Sequence, residues 1–223
     1  MSDAVLKYGE PENYVNRELS WLEFNYRILG EARDKTTPLF ERLKFLSITA
    51  SNLDEFFMVR VGSLMDLDRV APESRDPLSG MSPSRQLKQI CKNTRYLYYK
   101  REQIYEKVRK NLREKGIWIK NNEELTDRER EVCFAYFRDV LLKQVSIRFL
   151  SGIDGLPELK NNQTVLLGKL DEGYYSIVSF PEEMPALLAL ENSSTGFVGI
   201  RTPDVLMEFF DKWMLPFQAK EKL

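Results

Sequence analysis

Apolar residues recur at intervals of three and four over most of the first 115 positions and then give way to short β-like runs, which predicts helices followed by a mixed segment. Leu19 to Phe24 predicts the first helix start, with Ser20 as cap, Glu23 closing a capping box and Leu19 facing Phe24 as a hydrophobic staple. That helix is expected to reach about Asp34 and to bury Trp21, Leu22, Ile28, Leu29 and Ala32. Thr37 as cap and Pro38 at the first helical position predict a second helix, with Leu39, Leu43, Leu46 and Ala50 on its inner face. A join is expected at Asn52. Asn52 and Glu55 fit a capping box for a third helix carrying Leu53, Phe56, Phe57, Val61 and Leu64, the alternative being one long kinked helix.

Pro72, Pro77, Gly80 and Pro83 mark residues 71–83 as a loop. Ser82 and Pro83 then open a helix expected to persist to Lys115, with Gly116 as its left-handed stop. Leu87, Ile90, Thr94, Leu97, Arg101, Ile104, Val108 and Leu112 form its heptad-like seam, and at 1.5 Å per residue it would extend about 50 Å. Beyond it, Ile117 to Ile119 is β-like. Thr126 and Glu129 predict another capping box, for a helix to about Lys143 that buries Val132, Phe134, Phe137 and Leu141. Thr164 to Leu170 and Tyr174 to Phe180 flank Asp171-Glu172-Gly173 as a β-hairpin, and a further strand is expected near Gly196 to Ile200. Thr202 and Pro203 start a final helix carrying Val205, Leu206, Phe209, Phe210 and Trp213. The fold class that follows is mainly α with an α+β second part. An N-terminal helical bundle with one long helix occupies 1–115, and an α+β domain containing the hairpin, expected to be incomplete, occupies 116–223.

Composition adds a hidden asymmetry. The net charge of -1 carries no polyanion-binding signature, yet eleven Lys and Arg stand against three Glu between Pro83 and Lys115. Two readings stay open for that rod: a solvated face around a bundle seam, or attraction to a polyanion with Tyr96, Tyr98, Tyr99 and Tyr105 interleaved. Cys91 and Cys133 lie far apart and outside any CxxC spacing, so both are expected to be reduced thiols in the core or partly buried. No apolar run approaches the roughly 20 residues of a membrane span, and Met1-Ser2-Asp3-Ala4 lacks the regions of a signal peptide, so the expected location is the cytoplasm.

Histidine is absent from all 223 residues. The commonest general acid/base, the phosphohistidine nucleophile and the commonest metal ligand are therefore excluded, and no phosphate-cradling glycine loop replaces them. No catalytic residue and no metal ligand is expected in this chain. Asn52 keeps two readings, helix cap and ligand contact.

Three stretches, Asn16 to Asn25, Pro38 to Leu46 and Ser51 to Arg60, together resemble the opening of the long-chain, histidine-phosphorylated polyphosphate kinase family, in order and at the right intervals. The rest is similar in layout to that family's N-terminal helical domain and the early part of its head domain. The resemblance implies part of a transferase that moves the terminal phosphate of ATP onto polyphosphate with magnesium, the phosphate-carrying histidine lying in C-terminal domains that are absent here. It also implies that Asn52 touches the adenine base and that copies associate as a homo-oligomer, with nucleic acid not expected as a partner. The chain alone would not be catalytic. The alternative is a stand-alone polyanion-binding helical module that uses the basic helix 83–115.

Overall fold

The computed structural model describes residues 13–151, 156–160, 163–170, 173–181, 183–193 and 196–219. The chain divides into two compact units at the Asn111–Leu112 bond. It is mostly helical, with a few strands in two small sheets.

In the first unit, α1 spans Arg17–Arg33 and starts four residues earlier than its Ser20 signal. Asn16 is the cap, its Oδ1 accepting from the amides of Glu18 (3.0 Å) and Leu19 (3.3 Å). Asn16 wins because its amide is also anchored, donating to Gln86 Oε1 at 2.9 Å and Ser79 Oγ at 3.3 Å, whereas Ser20 is exposed inside the helix. Leu22, Leu29 and Ala32 are buried as expected, and Trp21 stacks on Phe56 with centroids 4.3 Å apart.

The second helix, α2, spans Leu39–Glu55 with Pro38 as its cap residue, so Thr37 does not cap it. No join exists at Asn52. The chain continues helically through a π-turn, Phe56–Val61, into α3, Gly62–Val70. Asn52 and Glu55 are therefore interior positions, and the expected capping box is absent. Leu53 and Phe56, almost fully buried on either side of the supposed break, are kept inward by the unbroken helix.

Loop 71–83 is organised by Asp76, whose carboxylate accepts from the Ser79 amide at 2.7 Å and its hydroxyl at 2.6 Å. Gly80 turns the chain at φ 63°, a left-handed value that glycine adopts without penalty. Helix α4 then runs Pro83–Glu114, with Ser82 Oγ accepting from the Arg85 amide. Ile90, Thr94, Leu97, Ile104, Val108 and Leu112 are its buried seam, and Gly116 ends it at φ 79°, both as anticipated.

In the second unit, β1 (Ile117–Lys120) pairs in parallel with β6 (Gly196–Arg201), which pairs antiparallel with β5 (Leu187–Ser193). Strand β5 has no signal in the sequence because Leu187-Leu188-Ala189-Leu190 does not alternate, and a bulge between Ala189 and Glu191 shifts its register. The other sheet is β2 (Ser146–Ser151), β4 (Tyr174–Ser179) and β3 (Val165–Lys169) in that order, all antiparallel. Its β3–β4 pair is the expected hairpin, although Asp171 and Glu172 of the turn lie outside the described residues.

Helix α5 (Asp127–Tyr136) starts on the expected capping box and passes through a π-turn, Phe137–Leu141, into the short α6 (Leu142–Gln144). Its inner face is Cys133, Phe137 and Leu141. Val132 and Phe134, expected inside, are exposed because they flank that stripe on either side. Helix α7 (Thr202–Ala219) lays Val205, Leu206, Phe209 and Phe210 against them in one core that includes Val178 and Ile200. Of the cysteines, Cys133 is buried but Cys91 is exposed, contrary to expectation, and both are free thiols.

Candidate functional site

The side chains of the recognisable motifs meet along the line where α1 runs beside α2 and its continuation. Arg42 Nε donates to the Ala32 carbonyl at 2.8 Å at one end, and Arg60 pairs with Glu18 at 3.2 Å at the other. Between them lies an amide pair. Asn25, fully buried, donates through Nδ2 to the Thr49 carbonyl at 3.1 Å, and its Oδ1 accepts from Asn52 Nδ2 at 3.1 Å. A buried carboxamide without partners would cost about 1–3 kcal/mol, so this pairing is what lets an asparagine replace an apolar residue at the heart of the helix contact.

Asn52 is half-buried in the last turn of α2, on the side that meets α1. Its bond to Asn25 uses one N–H, leaving a second N–H and the carbonyl oxygen, which has no hydrogen-bond partner among the described residues. A carboxamide fixed by one edge and open at the other is a donor–acceptor pair held at constant spacing. That arrangement matches a planar heterocycle edge, and the brace removes the rotamer freedom that contact would otherwise have to freeze.

Two turns along, a cleft of about 290 Å³ opens among Glu18, Arg60, Ser63, Leu67, Arg75, Asp76 and Gln86. It balances two guanidiniums against two carboxylates. Arg60 is already held by Glu18, and the side-chain hydrogen bonds from Ser79 keep the Asp76 carboxyl below its ordinary range against the opposing effect of burial. Asn52 does not line this cleft. Among the described residues no group of three or more Cys, Asp or Glu side chains is placed to hold a metal ion.

The second unit carries a largely buried ion pair between Lys120 and Glu129. Lys120 Nζ donates to both carboxylate oxygens of Glu129 at 2.7 Å, and Trp118 lies between Arg113 (3.6 Å to the ring centroid) and Lys120 (4.2 Å). The Lys120–Glu129 pair ties β1 to α5, while the buried Trp118 Nε1 beside it has no hydrogen-bond partner among the described residues.

Asn16, Asn25, Arg42, Gln86 and Lys120 are buried polar residues that periodicity does not single out. A signal for Asn25 exists in retrospect: it lies seven residues after Glu18, in phase with buried Leu22 and Leu29, on a stripe that is otherwise apolar.

Residues 14–120 match the family model described as the polyphosphate kinase N-terminal domain. A polyphosphate kinase of Synechocystis is 37% identical over 196 residues, 85% of this chain and 27% of that protein. One of Exiguobacterium sibiricum is 31% identical over 213 residues, 92% of this chain and 30% of that protein. The crystal structure of the polyphosphate kinase from Porphyromonas gingivalis superposes with a TM-score of 0.71 at 23% identity, covering 90% of this chain and 30% of that one, which establishes the shared fold. The chain thus spans less than a third of the length of these relatives.

Proposed function

The chain belongs to the polyphosphate kinase family through its N-terminal half, and from that premise we propose that it forms the adenine-side wall of an ATP site in a protein that transfers the terminal phosphate of ATP to polyphosphate. The observation that carries this reading is the braced carboxamide of Asn52: Asn25 holds one edge, and the free N–H and carbonyl match the acceptor and donor on the edge of adenine. With no histidine in its sequence, the chain holds and orients the base while the phosphoryl group travels on residues it does not contain. Magnesium belongs to the triphosphate in this reading.

The same reading places the chain in the cytoplasm, with its thiols reduced, and gives it ATP, polyphosphate and further copies of itself as partners. The free cysteines agree with that location, and none of the described helices is long and apolar enough to cross a membrane. A stand-alone polyanion-binding module is not favoured, since the matched segment is the opening domain of much longer relatives.

Titration with ATP and GTP tests the site. Asn52→Ala is expected to weaken ATP about tenfold, the loss of roughly one hydrogen-bonded contact, and to cost about 1 kcal/mol of stability because it strands the buried Asn25 Oδ1. A fall in stability with ATP affinity unchanged would leave Asn52 a structural residue, and radiolabelled phosphate passing from ATP onto this polypeptide would overturn the division of labour.

A further inference from the structure

The outer face of α4 is a row of cations that neither the packing nor the nucleotide reading uses. Between Pro83 and Arg101 the helix carries six Lys and Arg and no Asp or Glu. Arg101 turns inward and donates to the Leu46 carbonyl. Arg85, Lys88, Lys92 and Arg95 are exposed, follow one another at steps of three, four and three, and pair with no carboxylate among the described residues. They form one stripe about 15 Å long, half a turn away from buried Ile90 and Leu97. Lys100 extends it, its ammonium lying over the rings of Tyr96 (5.2 Å) and Tyr99 (5.8 Å).

Helix stability does not explain this row. Arg85 stands in the first turn, where the helix dipole is positive and favours acids, and the first turn contains none. Cations are therefore placed where they oppose the helix and crowd one another.

We propose that this stripe is an accessory track for linear polyphosphate, binding the polymer along α4 at a site separate from Asn52; it rests on the reading of the chain as part of a polyphosphate kinase. Polyphosphate fits better than nucleic acid because the stripe from Arg85 to Arg95 presents four cations and no aromatic ring on which a base could stack, the exposed Tyr96 and Tyr99 lying beyond it beside the Lys100 ammonium. A polymer that is anion alone satisfies such a face.

The test uses the 223-residue chain and a quadruple variant, Arg85→Gln, Lys88→Gln, Lys92→Gln and Arg95→Gln, each Gln a good helix former. Polyphosphate of defined length is expected to bind the parent chain with steep salt dependence. The variant is expected to bind at least tenfold more weakly and to lower the slope of log affinity against log salt by about 3, the release expected for four contacts to a single strand. Its melting temperature should stay level or rise. Unchanged polyphosphate affinity in the variant, or no binding by the parent at low ionic strength, overturns the track. Tighter binding of single-stranded RNA of equal charge overturns the choice of polymer. Asn52→Ala separates the two readings: it should leave polyphosphate affinity unaltered, and if it also leaves ATP affinity unaltered, the nucleotide reading fails while the track stands.

Discussion

Arg60 meets Glu18 at 3.2 Å one residue later than an unbroken α-helix would bring a partner there. On α1, seven residues separate Glu18 from Asn25, but eight separate their partners, Asn52 and Arg60. In a regular helix the seventh residue after Asn52 faces the same way, and that residue is Val59, which is 55% exposed. The π-turn Phe56–Val61 absorbs one extra residue and rotates Arg60 into the position instead. Both rungs of the ladder are thus satisfied, the amide pair above and the ion pair below.

Deleting Val59 should therefore be tolerated. The π-turn would relax to α-helix with Arg60, Val61 and Leu64 still facing inward, so cooperative unfolding should survive at a cost below about 2 kcal/mol. Circular dichroism and a urea melt check it, and loss of the folded state would show that the extra residue is needed for more than phase. In the undeleted chain, a double-mutant cycle of Glu18→Gln and Arg60→Met should give a coupling of about 1 kcal/mol, as befits a partly exposed pair.

Asn25→Ala should cost about 1–3 kcal/mol, because it removes a fully buried donor to the Thr49 carbonyl and the acceptor that holds Asn52. Nucleotide affinity should drop with it even though Asn25 touches no ligand. Urea midpoints give the first quantity and ATP titration the second. Stability lost with ATP affinity retained would mean that the brace is irrelevant to the contact.

Where the sequence was a reliable guide, one local rule had no competitor. Gly116 ends α4 and Thr126–Glu129 caps α5 because each motif satisfies its own backbone groups within four residues. The Asn52–Glu55 motif obeys the same local rule and was overridden: Asn25, 27 residues away, takes the Asn52 amide, and buried Leu53 and Phe56 favour continuing the helix. Ser20 lost to Asn16 for a similar reason, since Gln86 and Ser79 anchor the earlier cap from a distant part of the chain. The asparagine singled out from the motif was visible in the sequence, but the buried partner that orients it was not, because its role exists only across two helices.

Acid should weaken the second unit through Glu129. Burial raises its carboxyl, but the hydrogen bond from Lys120, helped by Thr126, outweighs that and holds it below the ordinary carboxylate range. A group lowered on folding contributes stability above its unfolded value and loses it as pH falls through the folded one, so the effect is full at pH 7 and fades below about pH 4. Glu129→Gln should flatten that limb of a stability–pH curve. Lys120→Met, which strands a mostly buried carboxylate, should cost about 3 kcal/mol at neutral pH.

The two thiols should differ sharply in reactivity, and Cys133 should report on that same ion pair. Cys91 is exposed on α4, whereas Cys133 lies fully buried in the second core. Burial, then the charge of Glu129, pushes the Cys133 thiol up to about 11. At pH 8 only about one in a thousand such thiols would be ionised even if reagent could reach it, since the thiolate is the attacking species. A chromogenic disulfide reagent should therefore titrate one cysteine quickly and the second only as the core opens. Cys91→Ser should abolish the fast phase, and Lys120→Met should accelerate the slow one by lowering the free energy of opening. Two fast equivalents in the parent protein would contradict the packing of Cys133 against Phe137 and α7, and an unaltered slow phase in Lys120→Met would mean that the ion pair does not govern the opening of that core.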